Sequence, residues 1–208
     1  MGEFFILEGK QVPTQKISDG FPSEERVREH FFSAEWETLR NFSLDLSLPR
    51  SFPTLFYPGC GGDLFRPLLY LEKCFPRLRN AHFFFLDLDL VAPLLDACLE
   101  RAGIPFSVSS SHRKFLWKGR TILLEIARGD VFTFALPVFD IYFEHAFRIM
   151  KEQDSSYEHR ILERLAGGGV VISDSGFSWA PLYRIPVPLE LSAYGEMVVG
   201  VKKSKEDL

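Results

Sequence analysis

The sequence predicts an α/β chain: a doubly wound, mostly parallel sheet between two helical layers. Three observations carry this. From residue 54 onward, short apolar runs alternate with amphipathic runs of helical length. Runs such as His82–Leu88 (HFFFLDL) and Phe139–Phe143 (FDIYF) are apolar at nearly every position, as strands covered on both faces are. And Thr54–Pro58 passes straight into Gly59-Cys60-Gly61-Gly62, then into a helix, the strand–turn–helix order of a ligand crevice.

Each element has its own signal. Residues 1–20 hold short apolar pieces broken by Gly9, Pro13 and Gly20, and together with residues 21–49 they make an N-terminal extension over 1–49 of a single-domain chain. Val27, Phe31, Phe32, Trp36, Leu39 and Phe42 recur at helical spacing, which predicts one amphipathic helix over 23–42, a core element that can also serve as a lid. Thr54–Pro58 is a buried strand, and 67–75 a helix with Pro67 in its first position. His82–Leu88 is the second strand, and 92–102 a helix stopped by Gly103. Phe106–Ser110 and Lys114–Lys118 suit a hairpin inserted over 104–120, and Thr121–Ala127 returns to the sheet. Phe139–Phe143 is a strand, 155–166 a helix closed by Gly167-Gly168-Gly169, Val170–Ser173 a strand, and Glu196–Lys202 the last one.

Composition narrows the function. The 208 residues carry a net charge of −4, which argues against a non-specific nucleic-acid binder. Phe, at 21 residues, is well above ordinary usage, so either a large aromatic core or an apolar groove is expected. No apolar run is long enough for a membrane helix, and the opening MGEFFILEGK lacks the charged-then-apolar pattern of a signal peptide. Cys60, Cys74 and Cys98 have neither metal-ligand spacing nor an even count, which suits reduced thiols in the cytoplasm. The five histidines show no metal-ligand spacing, so no metal is expected. No Gly-x-Ser-x-Gly elbow or phosphate-cradling Gly-Lys-Ser/Thr loop occurs.

The most informative segment is TLFYPGCGGDLFRP, residues 54–67. A ligand can approach main chain closely only where Cβ atoms are missing, and in open α/β sheets it does so beyond the carboxyl ends of the strands. Strand two ends in Asp87-Leu88-Asp89, placing an acid where ribose hydroxyls can be bound. Gly129-Asp130 follows the third main strand, where an acid can meet the amine of a base. Each acid has a plainer alternative, as a helix cap or a solvated loop residue.

In order and content these segments resemble the class I S-adenosylmethionine-dependent methyltransferases, over about residues 50–202. The resemblance implies a Rossmann-like, three-layer fold with an antiparallel last strand, which GEMVVGVKK suits, S-adenosylmethionine as cofactor, and a small-molecule or protein methyl acceptor. It implies cofactor contacts from Gly59, Gly61 and Gly62, from Asp87 or Asp89 to the ribose, and from Asp130 beside the adenine. The pattern departs from the family at two places. Tyr57 stands where the family has an acid, and Asp63 where it has its third glycine. Asp63 can either take over the pairing with the cofactor ammonium or cap the following helix.

Strand four delivers Glu144 and His145 to the carboxyl edge, where the resemblance places the methyl acceptor. His145 can act as a general base, with Glu144 orienting it or binding an amine. Asp174, after the fifth strand, can join Glu144 at a metal. A reading from a different class remains open: a non-catalytic module that keeps the fold and carries a degraded cofactor turn.

Overall fold

Alternation within the buried strands decides which face each side chain takes, and so where the helices lie. The computed structural model describes residues 4–7, 10–13, 22–178, 181–192 and 194–203. A hairpin of β1 (Phe4–Leu7) and β2 (Lys10–Pro13) precedes helices α1 (Glu24–Arg28) and α2 (Ser33–Asn41). Then come β3 (Thr54–Pro58), α3 (Phe65–Cys74), β4 (Asn80–Asp87) and α4 (Ala92–Arg101). The chain continues through β5 (Phe106–Ser109), β6 (His112–Trp117), β7 (Arg120–Arg128) and β8 (Phe139–Glu144). It ends with α5 (Arg148–Glu152), α6 (Tyr157–Arg164), β9 (Leu165–Ser173), β10 (Leu182–Ile185) and β11 (Val198–Lys202).

The main sheet runs β10-β11-β9-β8-β3-β4-β7-β6-β5. The five central strands β9, β8, β3, β4 and β7 are mutually parallel, and β11 lies antiparallel between β9 and β10. At the other edge β6 pairs antiparallel with β7, and β5 with β6. Leu55 and Tyr57 of β3 face a core shared with α2, α3 and α4, while Phe56 faces one shared with α6. The excess of Phe is chiefly core. Phe83, Phe85 and Phe143 pack on the first side, and Phe56, Phe84 and Phe139 on the second.

Three expectations change. The single helix over 23–42 is two helices, broken before Phe32, whose backbone is extended. Phe31 and Trp36 contact each other at 5.4 Å. An unbroken helix would set them about 140° apart, so the break lets both rings reach the same core. The helix expected at Pro67 begins at Phe65. Proline fits its third position because the N–H groups of a first turn have no helical partner anyway. Gly167–Gly169 do not form a turn before a strand. They lie within β9 as a bulge, since Phe139 pairs with Leu165 but Ile141 pairs with Val170. A Cβ on Gly169 would stand 2.8 Å from the Asp140 carbonyl oxygen, so only glycine fits there. β10 goes unread in the sequence because Pro186 and Pro188 follow it and its own side chains are largely at the surface.

Among the described residues no helix is long and apolar enough to cross a membrane.

Candidate functional site

The chain leaves β3 toward β4 and β7 on one side, then returns to β8 and β9 on the other. The switch point of this open α/β sheet, where such sheets bind ligands, therefore lies between the carboxyl ends of β3 and β8. β3 contributes the glycine turn there. Gly59 has φ +57° and Gly61 φ +53°, both in the left-handed region that favours glycine. Gly59 is exposed on one side. On the side where a Cβ would stand, the ring of Phe147 lies 2.7 Å from that position. A Cβ on Gly61 would meet nothing within 4 Å, so its main chain is bare to open space.

Asp87 fixes the turn from β4. One carboxylate oxygen accepts the Gly61 N–H at 2.8 Å and the Cys60 thiol at 3.9 Å, and the other accepts the Asp89 N–H at 3.0 Å. Burial first, and the Asp87 charge second, push the Cys60 thiol far up, which leaves it a neutral donor and no nucleophile. Asp89 is exposed, and Leu88, Leu90 and Leu94 form an exposed apolar rim on the same loop and helix start.

Asp63 turns inward. Its Oδ2 accepts the Tyr57 hydroxyl at 3.0 Å, its Oδ1 accepts the Arg66 N–H at 3.3 Å, and the Arg66 guanidinium stands 3.6 Å away. Of the two alternatives the sequence left for Asp63, this geometry is the helix-capping one. Burial, then the Asp63 charge, push the buried Tyr57 hydroxyl well up, so it donates. Asp130 spends Oδ1 on the Phe132 N–H at 2.9 Å, and the ring of Phe134 lies 2.7 Å from the Cβ position of Gly129.

At the end of β8 the two candidates separate. Glu144 is 1% exposed and accepts Tyr142 Oη at 2.6 Å, Lys151 Nζ at 2.6 Å, Ser175 Oγ at 2.6 Å and the Ser173 hydroxyl. It braces the sheet from below and makes no contact that orients His145. Asp174 does that. Its Oδ2 lies 2.8 Å from His145 Nδ1, and its two oxygens accept the Ala146 N–H at 3.0 Å each. With Nδ1 on the carboxylate, the neutral imidazole presents Nε2 as its acceptor. The Asp174 side chain is 4% exposed and that of His145 18%, so the imidazole can be reached and its partner is enclosed. Ala146 has φ +55° without being glycine, a strained backbone held at the site. Asp174 as the histidine's partner is the residue that sequence reasoning missed, having weighed it for a metal only. In sequence both residues stand just past strands read there, but their pairing follows from the register: Glu144 and Ser173 are opposite each other on neighbouring parallel strands, so positions 145 and 174 leave the sheet side by side. Among the described residues no group of metal ligands converges, Glu144 and Asp174 included.

The antiparallel β11, entering between β9 and β10, separates this sheet from the all-parallel one of a dinucleotide dehydrogenase. The fold is of the class I methyltransferase type. No family model matches the chain, and no curated protein matches its sequence. Among solved structures, a protein from Methanococcus maripaludis described as an S-adenosyl-L-methionine-dependent methyltransferase superposes with TM-score 0.48 at 11% identity, over 87% of this chain and 90% of that one. A SAM-dependent methyltransferase from Aquifex aeolicus gives 0.43 at 12% identity, over 84% and 90%. The methyltransferase SibL gives 0.46 at 14% identity, over 74% of this chain and 51% of its own. These likenesses are too distant to carry weight; the methyltransferase-type arrangement rests on the strand order.

Histidines outside the site set the acid limb of stability. His82, on the open face of β4, has its pKa lowered from 6.5 by burial first, against the opposing pull of Glu125 at 3.1 Å. His30, edge-on to Phe65, is lowered by burial too. A folded pKa below the unfolded value favours the neutral ring, so this contribution is present above pH 6.5 and is lost as pH falls below it. The melting temperature is expected to drop between pH 7.5 and 5, and less steeply in His30→Phe. A melting temperature that rises on acidification would reverse the sign.

Proposed function

We propose that the protein is an S-adenosylmethionine-dependent methyltransferase in which His145, held by Asp174, takes the acceptor's proton. The observation that carries the reading is the glycine turn at the switch point, bare at Gly61 and packed by Phe147 at Gly59. Gly59 and Gly61 present left-handed main chain beyond the end of β3, and Gly61 opens onto free space. The surroundings suit a nucleoside. Asp87 is partly exposed and fixed in place to accept ribose hydroxyls, and Leu88, Leu90 and Leu94 offer an apolar rim for a base. Cofactor contacts are assigned to Gly59, Gly61, Gly62, Asp87 and Asp89. Tyr57 and Asp63 support the turn from beneath. Bound S-adenosylmethionine supplies an activated methyl group, so the chain has mainly to position the acceptor and remove a proton. Phe147, packed on Gly59 two residues after His145, ties the base to the cofactor turn.

One observation favours the non-catalytic reading: the base side of the crevice is partly filled by the chain's own Phe134 on Gly129, and Asp130 is spent on its own loop. Ligand binding separates the two. S-adenosylhomocysteine at 100 times its dissociation constant should stabilise the protein by about 2.7 kcal/mol. A melting temperature unmoved by either S-adenosylmethionine or S-adenosylhomocysteine rejects the enzyme. Where binding occurs, His145→Gln should keep the thermal shift and lower methyl transfer by roughly 100-fold or more. Unchanged turnover would remove His145 as the base.

A further inference from the structure

A buried ion network links the N-terminal helix to the glycine turn. Glu35 of α2 and Arg66 of α3 are both buried, and they form a two-pronged pair: Arg66 Nε to Glu35 Oε1 at 2.9 Å and Arg66 Nη2 to Glu35 Oε2 at 3.2 Å. The remaining guanidinium nitrogen faces Asp63 Oδ1 at 3.6 Å, and Asp63 in turn holds Tyr57. Phe31, in the break between α1 and α2, lies against the guanidinium at 4.9 Å from its ring centre. Burial alone would lower the Arg66 pKa, but the two carboxylates carry it upward, so the guanidinium stays charged between them. Asp63 also closes the turn itself, through its N–H to the Cys60 carbonyl at 2.9 Å.

We propose that Glu35 and Arg66 are positioning residues for the cofactor turn, so that the ion pair between them, and not the apolar docking of α2, sets how firmly the turn holds its ligand. The ligand part of this rests on the cofactor reading above; the coupling of α2 to the turn does not. Two buried carboxylates on one guanidinium are a poor way to fasten a helix, because desolvation offsets much of their attraction, but their geometry is strict. Apolar contacts already fasten α2, through Trp36 and Leu39 in the main core. What the ion network adds is a fixed orientation for Arg66, and through it for Asp63. A disturbance of the Glu35–Arg66 pair is thereby passed through Asp63 to the glycine turn.

The test compares Glu35→Gln and Arg66→Met with Leu39→Ala, which loosens α2 without touching the network. Amide exchange of the segment 59–66 is followed by mass spectrometry, together with S-adenosylhomocysteine affinity by calorimetry. The network variants should speed exchange in that segment and raise the dissociation constant by about tenfold. The double variant should be no worse than the worse single one. Leu39→Ala should lower the melting temperature and leave both readouts near wild type. If Leu39→Ala loosens the turn as much as Glu35→Gln does, or if Glu35→Gln leaves exchange in 59–66 unchanged, the positioning role is overturned. Should Arg66→Met fail to fold, Glu35→Gln decides alone. A wild-type protein that gives no heat with S-adenosylhomocysteine overturns the cofactor reading and the ligand part of the proposal; the exchange data then still decide the coupling.

Discussion

Glu144→Leu is expected to destabilise the protein by about 3–5 kcal/mol, the cost of leaving a buried charge without its partner. Four donors converge on this carboxylate, and Lys151, with a side chain 8% exposed, gives it a short contact. Without it, Lys151 keeps, among the described residues, the Gly176 carbonyl, the ring of Phe177 and the more distant Glu158 at 3.6 Å. Burial first, and then the Glu144 charge, hold the Tyr142 pKa far above its ordinary value. That hydroxyl remains a donor and would be left with Tyr157 alone. At about 2–4 °C per kcal/mol for a chain of this size, the melting temperature should fall by roughly 6–20 °C. The double variant Glu144→Leu, Lys151→Met should recover much of the loss, because an apolar pair of similar volume carries no desolvation cost. A double variant as unstable as the single one would show that the serines and tyrosines, not the ion pair, hold the network. The same experiment separates bracing from catalysis. Glu144 bonds to Tyr142, Lys151, Ser173 and Ser175, while His145 bonds to Asp174, so cofactor affinity in the folded double variant should persist.

Gly59→Ala should cost about 2–5 kcal/mol, the sum of two separable effects. Left-handed backbone costs a non-glycine residue roughly 1–2 kcal/mol. The new methyl must also displace the Phe147 ring, 2.7 Å from where it would stand, and overpacking of this kind costs about 1–3 kcal/mol. Gly61→Ala is the control, with nearly the same φ and open space instead of a ring. It should show the backbone cost only. Combining Gly59→Ala with Phe147→Leu should return the difference between the two. Equal denaturation midpoints for Gly59→Ala and Gly61→Ala would mean that Phe147 moves aside freely. The glycine at 59 would then answer to backbone conformation and not to packing.

Binary pattern was enough to reveal the central strands, because full burial makes a strand apolar at nearly every position. β3, β4, β7 and β8 all lie within or around the stretches read from sequence, and the antiparallel β11 closes the sheet as expected. The sharp bend after β3 was legible for a related reason: glycines between a strand and a helix mark main chain that turns through left-handed conformations, as Gly59 and Gly61 do. Partner choice was not legible. Asp63 and Asp87 are both cofactor-contact candidates in sequence, yet one turns inward to Tyr57 and Arg66 while the other ties down the turn from the neighbouring strand. Glu144 and His145 are adjacent in sequence, but Glu144 is the last residue of β8, buried at all six positions, while His145 stands just past the strand and finds its partner in Asp174, just past β9. Sequence alone determined which segments are buried and where the chain must bend, since both follow from the chemistry of single residues and their spacing. Only the tertiary structure decided which carboxylate meets which donor, because those pairs are set by strand register and helix docking between residues far apart in the chain.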